Sequence, residues 1–412
     1  YTTLFRSRVF NAFSPCSSLK EPTQNRIRLR ILFVLSRVPY PLEKGDKLRA
    51  YHLIKELSHE HEVNLFCLSD TAVHPDAESK LKEFCSEVYI HRLSGIGRIF
   101  RLMMGFFNSK PFQVSYFYSK NAQRVFNRFV EQHIPQHISC QLVRTAEYAL
   151  PFSTIPKSID YMDALSVGMN RMADKANWPM SSIMKTEYRK LRKYELDILD
   201  QFDVRFIISE QDKELLSLPA ELHVLPNGVD PKFFEASNTT KTRDILFTGN
   251  MSYRPNVESA RFLVNNVMPL VWKQLPQVKV TLAGANPASG VNSLKSSQVE
   301  VTGWVDDIKS VYDSSRVFVA PMLINSGLQN KLLEAMACGV PSLTTPLANN
   351  ALGAQPESQI MIGDDAESIA AQIVVLLTNT EKSATIASQG KAYVEGNFSW
   401  EKEAERLLQW IG

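Results

Sequence analysis

The sequence predicts an α/β protein of two parallel-sheet domains, and three observations predict it. From residue 29 onward short apolar runs alternate with longer amphipathic stretches, these units fall into two series, and a polar segment bearing Pro, Asn and Thr parts them. Strands of a parallel sheet are buried on both faces and read as nearly continuous apolar runs, which is the pattern here. A length of 412 residues with 44% hydrophobic and 22% charged residues suits two cores.

The first series runs through RILFVLS (30–36), VNLFCLS (63–69), VYIHRL (88–93), ISCQLV (138–143), KSIDYM (157–162) and DVRFIIS (203–209), with helical patterns between. The second runs through DILFTGN (244–250), VKVTLAG (278–284), VEVTGW (299–304), RVFVAPM (316–322) and PSLTTP (341–346). The segment 222–244 separates them. Three helical patterns close the sequence at 365–378, 382–396 and 399–411, the last with Ala404, Leu407, Leu408 and Trp410 on an apolar side. The expected divisions are therefore a leader at 1–27, a first domain at 28–222, a second at 223–396, and a terminal helix at 397–412 that can cross back to the first domain. The leader shows no period and is basic and Ser-rich. It is left out of the fold, as a transit peptide or as an incomplete or foreign segment.

Charge and cysteines narrow the class. A net charge of +3 with dispersed Lys and Arg does not imply a nucleic-acid partner. Five cysteines, odd in number and without a C-x-x-C pair, suggest neither a disulfide framework nor a zinc site, and a reducing cytoplasm is the expected setting. No stretch reaches the ~18 apolar residues of a membrane span. No H-E-x-x-H and no Asp-x-Asp occurs, so no metal and no cofactor are expected.

The most informative segment is INSGLQNKLLEAMACGVPSLTTP (324–346). A strand ends in VAPM, a polar loop holds Gly327, and a helix follows on which Lys331 and Glu334 lie three apart and share one face. A glycine at a helix start lets backbone N–H groups approach a phosphate, which the helix dipole favours. A carboxylate on such a helix can accept hydrogen bonds from both hydroxyls of a ribose. Taken alone, Lys331 and Glu334 are equally well a solvated, salt-bridged helix face.

In its flanking sequence, GLQNKLLEAMACGVP resembles the second half of the Glu-x7-Glu region of family 4 glycosyltransferases, retaining enzymes of the GT-B fold that take a sugar from a nucleotide-sugar without a metal. The resemblance extends over residues 29–412. It implies two Rossmann-like domains facing across a cleft, with the donor on the second and the acceptor on the first. It further implies that Glu334 binds the donor ribose and that the amides of Gly327 and Leu328 contact the diphosphate or sugar. Ser326 stands where many members carry the first glutamate, near the transferred sugar.

Three further segments resemble the same family. LPNGVDPKFF (225–234) is similar to the passage between domains, although an Asn-Gly turn explains it on residues alone. In FTGNMSYRPNVESARFL (247–263), Asn250 occupies the place of the common arginine and Arg254 is the nearest cation. In VTGWVDDIKSVYDSS (301–315), Gly303 and Val305 would lie near the nucleobase and Asp307 caps a helix. On the first domain, SRVPYPLEKGDKLRAYHLIKEL (36–57) has Gly45 before a helix, Asp46 as N-cap, and Lys47 and Arg49 near the mouth, in a loop that in the family faces donor phosphates and acceptor. This stretch also resembles sugar transferases of bacterial exopolysaccharide and exosortase loci.

The function so implied is transfer of a sugar, with retention, to a glycan or lipid-linked acceptor, with Lys331 and Arg254 stabilising the departing nucleoside diphosphate. Rival readings are a GT-B nucleotide-sugar epimerase and a binding protein without catalysis. Arg144 and Asp163, each just past a first-domain strand, line the cleft or serve structure. His59 and His61 are expected at the surface. The stretch 95–120 mixes Arg98, Arg101 and Lys110 with many apolar residues. A helix packed on its own sheet is the favoured reading, and a peripheral contact with the inner membrane stays open.

Overall fold

The computed structural model describes residues 28–412 apart from 43, 106–107, 175 and 325–326, so the leader at 1–27 and Ser326 lie outside the described residues. Seven strands form the first sheet: β1 (Arg30–Leu35), β2 (Glu62–Ser69), β3 (Glu87–Arg92), β4 (His137–Gln141), β5 (Lys157–Asp160), β6 (Val204–Ile207) and β7 (His223–Val224), in the order β3-β2-β1-β4-β5-β6-β7. Six form the second: β8 (Arg243–Thr248), β9 (Val280–Ala283), β10 (Val299–Gly303), β11 (Ser315–Ala320), β12 (Ser342–Thr344) and β13 (Met361–Ile362), in the order β10-β9-β8-β11-β12-β13. Every strand pairing is parallel. Parallel neighbours need crossovers, and the amphipathic stretches supply them as helices.

Alternation along β1 shows how the layers form. Ile31, Phe33 and Leu35 point to the face covered by Leu53, Ile54 and Leu57 of the Gly45–Leu57 helix, while Leu32 and Val34 join Phe66, Phe126 and Tyr148 on the other. A separate core fills the second domain around β8, β9, β11 and the helices that flank them. In both sheets the strand order reverses once, between β1 and β4 and between β8 and β11. Loops leaving those strands diverge and open a crevice, where ligands of doubly wound sheets sit.

The terminal helix, Trp400–Ile411, packs on the Gly45–Leu57 helix of the first domain. Trp400, Ala404 and Leu407 repeat at helical spacing and are buried there. Trp400 stacks on His52 with ring centroids 5.1 Å apart, and burial pushes the His52 imidazole down to about 4, so this ring is neutral at pH 7. The chain thus passes between domains twice. The passages lie side by side: Val229 donates its N–H to the Phe398 carbonyl at 2.9 Å, and a Cβ on Gly228 would stand 2.4 Å from the Trp400 nitrogen, so only glycine fits.

Four expectations need correction. The first sheet takes in His223–Val224, past the division expected at 222. His61 is buried, not at the surface, while His59 is exposed. Asp46 does not cap its helix: Lys44 is the N-cap, and Asp46 instead accepts from Arg37 at 2.6 Å. On the Gly95–Gly105 helix, Ile96, Leu102, Met103 and Met104 are exposed, where a packed helix would bury them.

Candidate active site

On the second domain the residues singled out by sequence gather at the switch between β8 and β11. After β11 the chain reaches Gly327, half-buried, and Leu328, buried, and then forms the Asn330–Ala337 helix. Leu332, Leu333, Ala335 and Met336 face the core, which turns Lys331 and Glu334 toward the crevice. The two are not each other's partners, so the salt-bridged helix face is not what forms. The Lys331 ammonium donates to Asn256 Oδ1 at 2.5 Å and stands 5.0 Å from the centroid of the Phe247 ring. Glu334 accepts from the Tyr312 hydroxyl at 2.9 Å.

Burial shifts both groups toward neutrality. It lowers Lys331 to about 7 against a partial offset by Glu334, and it raises Glu334 to about 7 against the Tyr312 hydrogen bond and the nearby Lys232 and Lys331 charges. An anionic ligand beside Lys331 would draw a proton back onto its amine, while Glu334 near neutrality can offer hydrogen-bonding oxygens.

Asn256 and Tyr312 are the members that sequence reasoning missed. Asn256, buried near the start of the Arg254–Phe262 helix, donates to the Asn250 carbonyl at 2.9 Å while holding Lys331, and so ties the loop after β8 to the helix after β11. Tyr312, fully buried, also bonds Thr248 at 2.8 Å, so its hydroxyl orients Glu334 from the end of β8. The loop after β8 turns tightly at Gly249 (φ 152°), where a side chain would strike Asn256 at 2.6 Å. Asn250 turns its side-chain oxygen to Ser252, and Arg254 is exposed at the first helical position. Gly303 (φ 74°) ends β10 and Val305 follows it, with Trp304 exposed between them, and Asp307 caps the next helix through Lys309 N–H.

The first domain supplies the facing wall. Gly45 and Lys47 begin the Gly45–Leu57 helix, and Lys47 lines a cavity of about 510 Å³ with Arg37, Lys44, Tyr40, Asp70 and His74. Glu334 opens on a different cavity, of about 140 Å³, with His52, Asp230, Lys232 and Asn330. Arg49 is not at the mouth. Its side chain is wholly buried, bonded to Asp160 Oδ2 at 2.5 Å, the Asn227 side chain at 3.0 Å and the Pro226 carbonyl at 3.2 Å, because it shares the inward helix face with Leu53 and Leu57.

Asp163, just past β5, is exposed, yet neighbouring groups crowd its carboxyl. That crowding strips water from the carboxyl, the Asp212 carboxylate adds repulsion, and together they raise it to about 6. Arg144 reaches Gln113 at 2.9 and 2.5 Å. The domains meet where Asn227 donates to Asn330 at 2.9 Å and where Gly327 comes within about 3.9 Å of Asp212, measured from a Cβ built on that glycine. Among the described residues no cluster of three His, Cys, Asp or Glu has the arrangement to hold a metal ion.

The chain is similar in sequence and in fold to several known proteins. Residues 242–379 match the family described as Glycosyl transferases group 1. An uncharacterized 44.6 kDa protein in the cps region of Klebsiella pneumoniae is 24% identical over 403 residues, 90% of this chain and 97% of that protein. A GDP-mannose-dependent monoacylated alpha-(1-6)-phosphatidylinositol monomannoside mannosyltransferase of Corynebacterium glutamicum is 23% identical over 300 residues, 66% of this chain and 78% of that enzyme. Among solved structures, Anabaena Alr3699/HepE in complex with UDP and glucose superposes with a TM-score of 0.66 at 15% identity, covering 93% of this chain and 99% of that one. Sucrose-phosphate synthase from Thermosynechococcus elongatus gives 0.66 at 16% identity, covering 92% and 98%.

Proposed function

We propose that this chain of GT-B fold, whose residues 242–379 match the Glycosyl transferases group 1 family, transfers a sugar from a nucleotide-sugar to a glycan or lipid-linked acceptor, with retention at the anomeric carbon and without a metal, as in family 4. The observation that carries this reading is the divergence of Lys331 and Glu334 from one helix into two subsites of the crevice. Lys331, with the amides of Gly327 and Leu328, faces the diphosphate, and Glu334 takes the ribose hydroxyls. Adjacent strands are ~5 Å apart, so the Gly303–Val305 turn after β10 lies ~10 Å from the loop after β8, a span that suits a nucleobase and its diphosphate. Arg254, exposed beside that loop, is the second cation for the leaving group. The cps-region relative supports a role in exopolysaccharide or other cell-surface glycan synthesis.

The test is calorimetric titration and a transfer assay across UDP-, GDP- and ADP-sugars. Glu334→Gln replaces a charged acceptor by an amide that still serves Tyr312, so the fold is expected to hold while nucleoside diphosphate binding weakens by ~1.5–3 kcal/mol. Parent-like binding by that variant, once circular dichroism shows it folded, removes Glu334 from the donor site. Epimerisation of the donor without acceptor would replace transfer as the activity.

Metal-free transfer is motivated by the missing Asp-x-Asp and by the cationic Lys331 beside helix-start amides, which can balance the leaving diphosphate. Turnover is therefore expected to survive excess EDTA. Loss on chelation with recovery on adding Mg²⁺ or Mn²⁺ overturns it.

A further inference from the structure

One helix of the first domain is turned inside out. On the Gly95–Gly105 helix, Ile96 and Met103 stand two turns apart and share a face, flanked by Leu102 and Met104. Ile96 is 85% exposed, Met103 59%, Met104 47% and Leu102 39%. The cations of the same helix point inward: Arg98 donates to the Asp70 carbonyl at 2.5 Å and the Tyr116 hydroxyl at 2.7 Å, and Arg101 to the Tyr116 carbonyl at 3.4 Å. A helix that only covers its own sheet has the reverse arrangement. Contiguous exposed apolar faces of this kind mark contact surfaces.

Charge says what covers it. From Val88 to Val130 the sequence holds seven Lys and Arg and no Asp or Glu, and Arg92, Lys120, Arg124 and Arg128 of these are exposed. An apolar face within an acid-free basic band suits an anionic lipid surface. Among the described residues no helix is long and apolar enough to cross a membrane, so the fit is to lying on one.

We propose that the Gly95–Gly105 helix docks the first domain on an anionic lipid bilayer. Docking also places the neighbouring cavity at the lipid surface. Asp70, which lines that cavity, accepts from Tyr116 at 3.1 Å and lies 3.8 Å from Arg98, so helix and cavity share a wall. If that cavity takes the acceptor, as the proposed function implies, an acceptor anchored in the same bilayer reaches it without leaving the surface.

Flotation of the full chain with phosphatidylcholine vesicles, with and without phosphatidylglycerol, tests the proposal. Binding is expected only with phosphatidylglycerol and is expected to weaken with salt. Met103→Ser combined with Met104→Ser, and separately Ile96→Ser, should cut the floated fraction ~tenfold, with melting temperature and nucleotide-induced thermal shift unchanged. Three results overturn it: a parent that does not float at low salt, variants that float like the parent, or variants that convert a dimer to a monomer in light scattering, which would make the face a contact between two copies. Flotation uses no nucleotide. A protein that floats but binds no nucleotide-sugar sinks the donor assignment alone, and one that transfers to a soluble acceptor without floating sinks the docking alone.

Discussion

Lys331→Met is expected to lower the transfer rate ~10²–10³-fold, equivalent to ~2.7–4 kcal/mol of transition-state stabilisation. In the proposed reaction this side chain faces the leaving diphosphate, and Asn256 and Phe247 hold it in place. Methionine keeps the apolar stem and removes the charge, so the fold should not suffer. Because Lys331 titrates near 7 in the folded chain rather than at its ordinary 10.5, the unfolded chain binds the extra proton between those values. Folding stability from this group therefore rises as pH climbs from about 7 to 10.5, and the methionine variant should lose that slope.

A nucleotide-sugar, whose diphosphate does not titrate in this range, would draw the proton back onto Lys331. Its affinity is then expected to fall up to ~tenfold per pH unit above 7 in the parent and to stay flat in the variant. Below 7, protonation of Glu334 weakens ribose binding in both. Titration calorimetry from pH 6 to 9 decides the matter. A parent without an alkaline limb, or a variant with near-parent turnover, removes Lys331 from the mechanism.

Arg49→Met is expected to destabilise the protein by ~3–5 kcal/mol, the effect of breaking a wholly buried ion pair from one side. Asp160 would keep only the Met162 N–H as its partner, and Asn227 would lose the guanidinium that orients it. Asn227 in turn holds Asn330 at the head of the Asn330–Ala337 helix, so, on the proposed function, transfer should drop further than nucleotide binding. Urea unfolding measures the first effect. Arg49→Met with Asp160→Leu is expected to recover part of the loss, since no charge then remains unpaired. A single variant within 1 kcal/mol of the parent would show that the pair is dispensable.

The same residue shows where sequence reading stopped short. Nearness to Gly45 and Lys47 points Arg49 to the cleft mouth, yet it stands four and eight residues before Leu53 and Leu57, the inward positions of that helix. Position outranked proximity to the loop. The eleven longer strands were legible as apolar runs, whereas His223–Val224 and Met361–Ile362 are too short to show any period. Lys331 and Glu334 were legible because a long motif surrounds them. Asn256 and Tyr312 were not, since a polar residue on an inward face reads as surface until its buried partner is known. For Asn256 a signal did exist: it stands four and seven residues before Ala260 and Leu263, both buried.

The paired passages between domains bear on how this molecule is made. Leu53, Ile54 and Ala50 in the first domain share a core with Trp400, Ala404 and Leu407 of the last helix. During synthesis the first sheet can assemble once β7 has emerged, but that side of it stays uncovered while the following 175 residues, 225–399, are added. Exposed apolar surface on a nascent chain invites aggregation, and elongation at ~5–20 residues per second leaves it bare for roughly ten to thirty-five seconds. The half of the protein translated first is thus the half completed last, and any pause within the second domain lengthens its exposure.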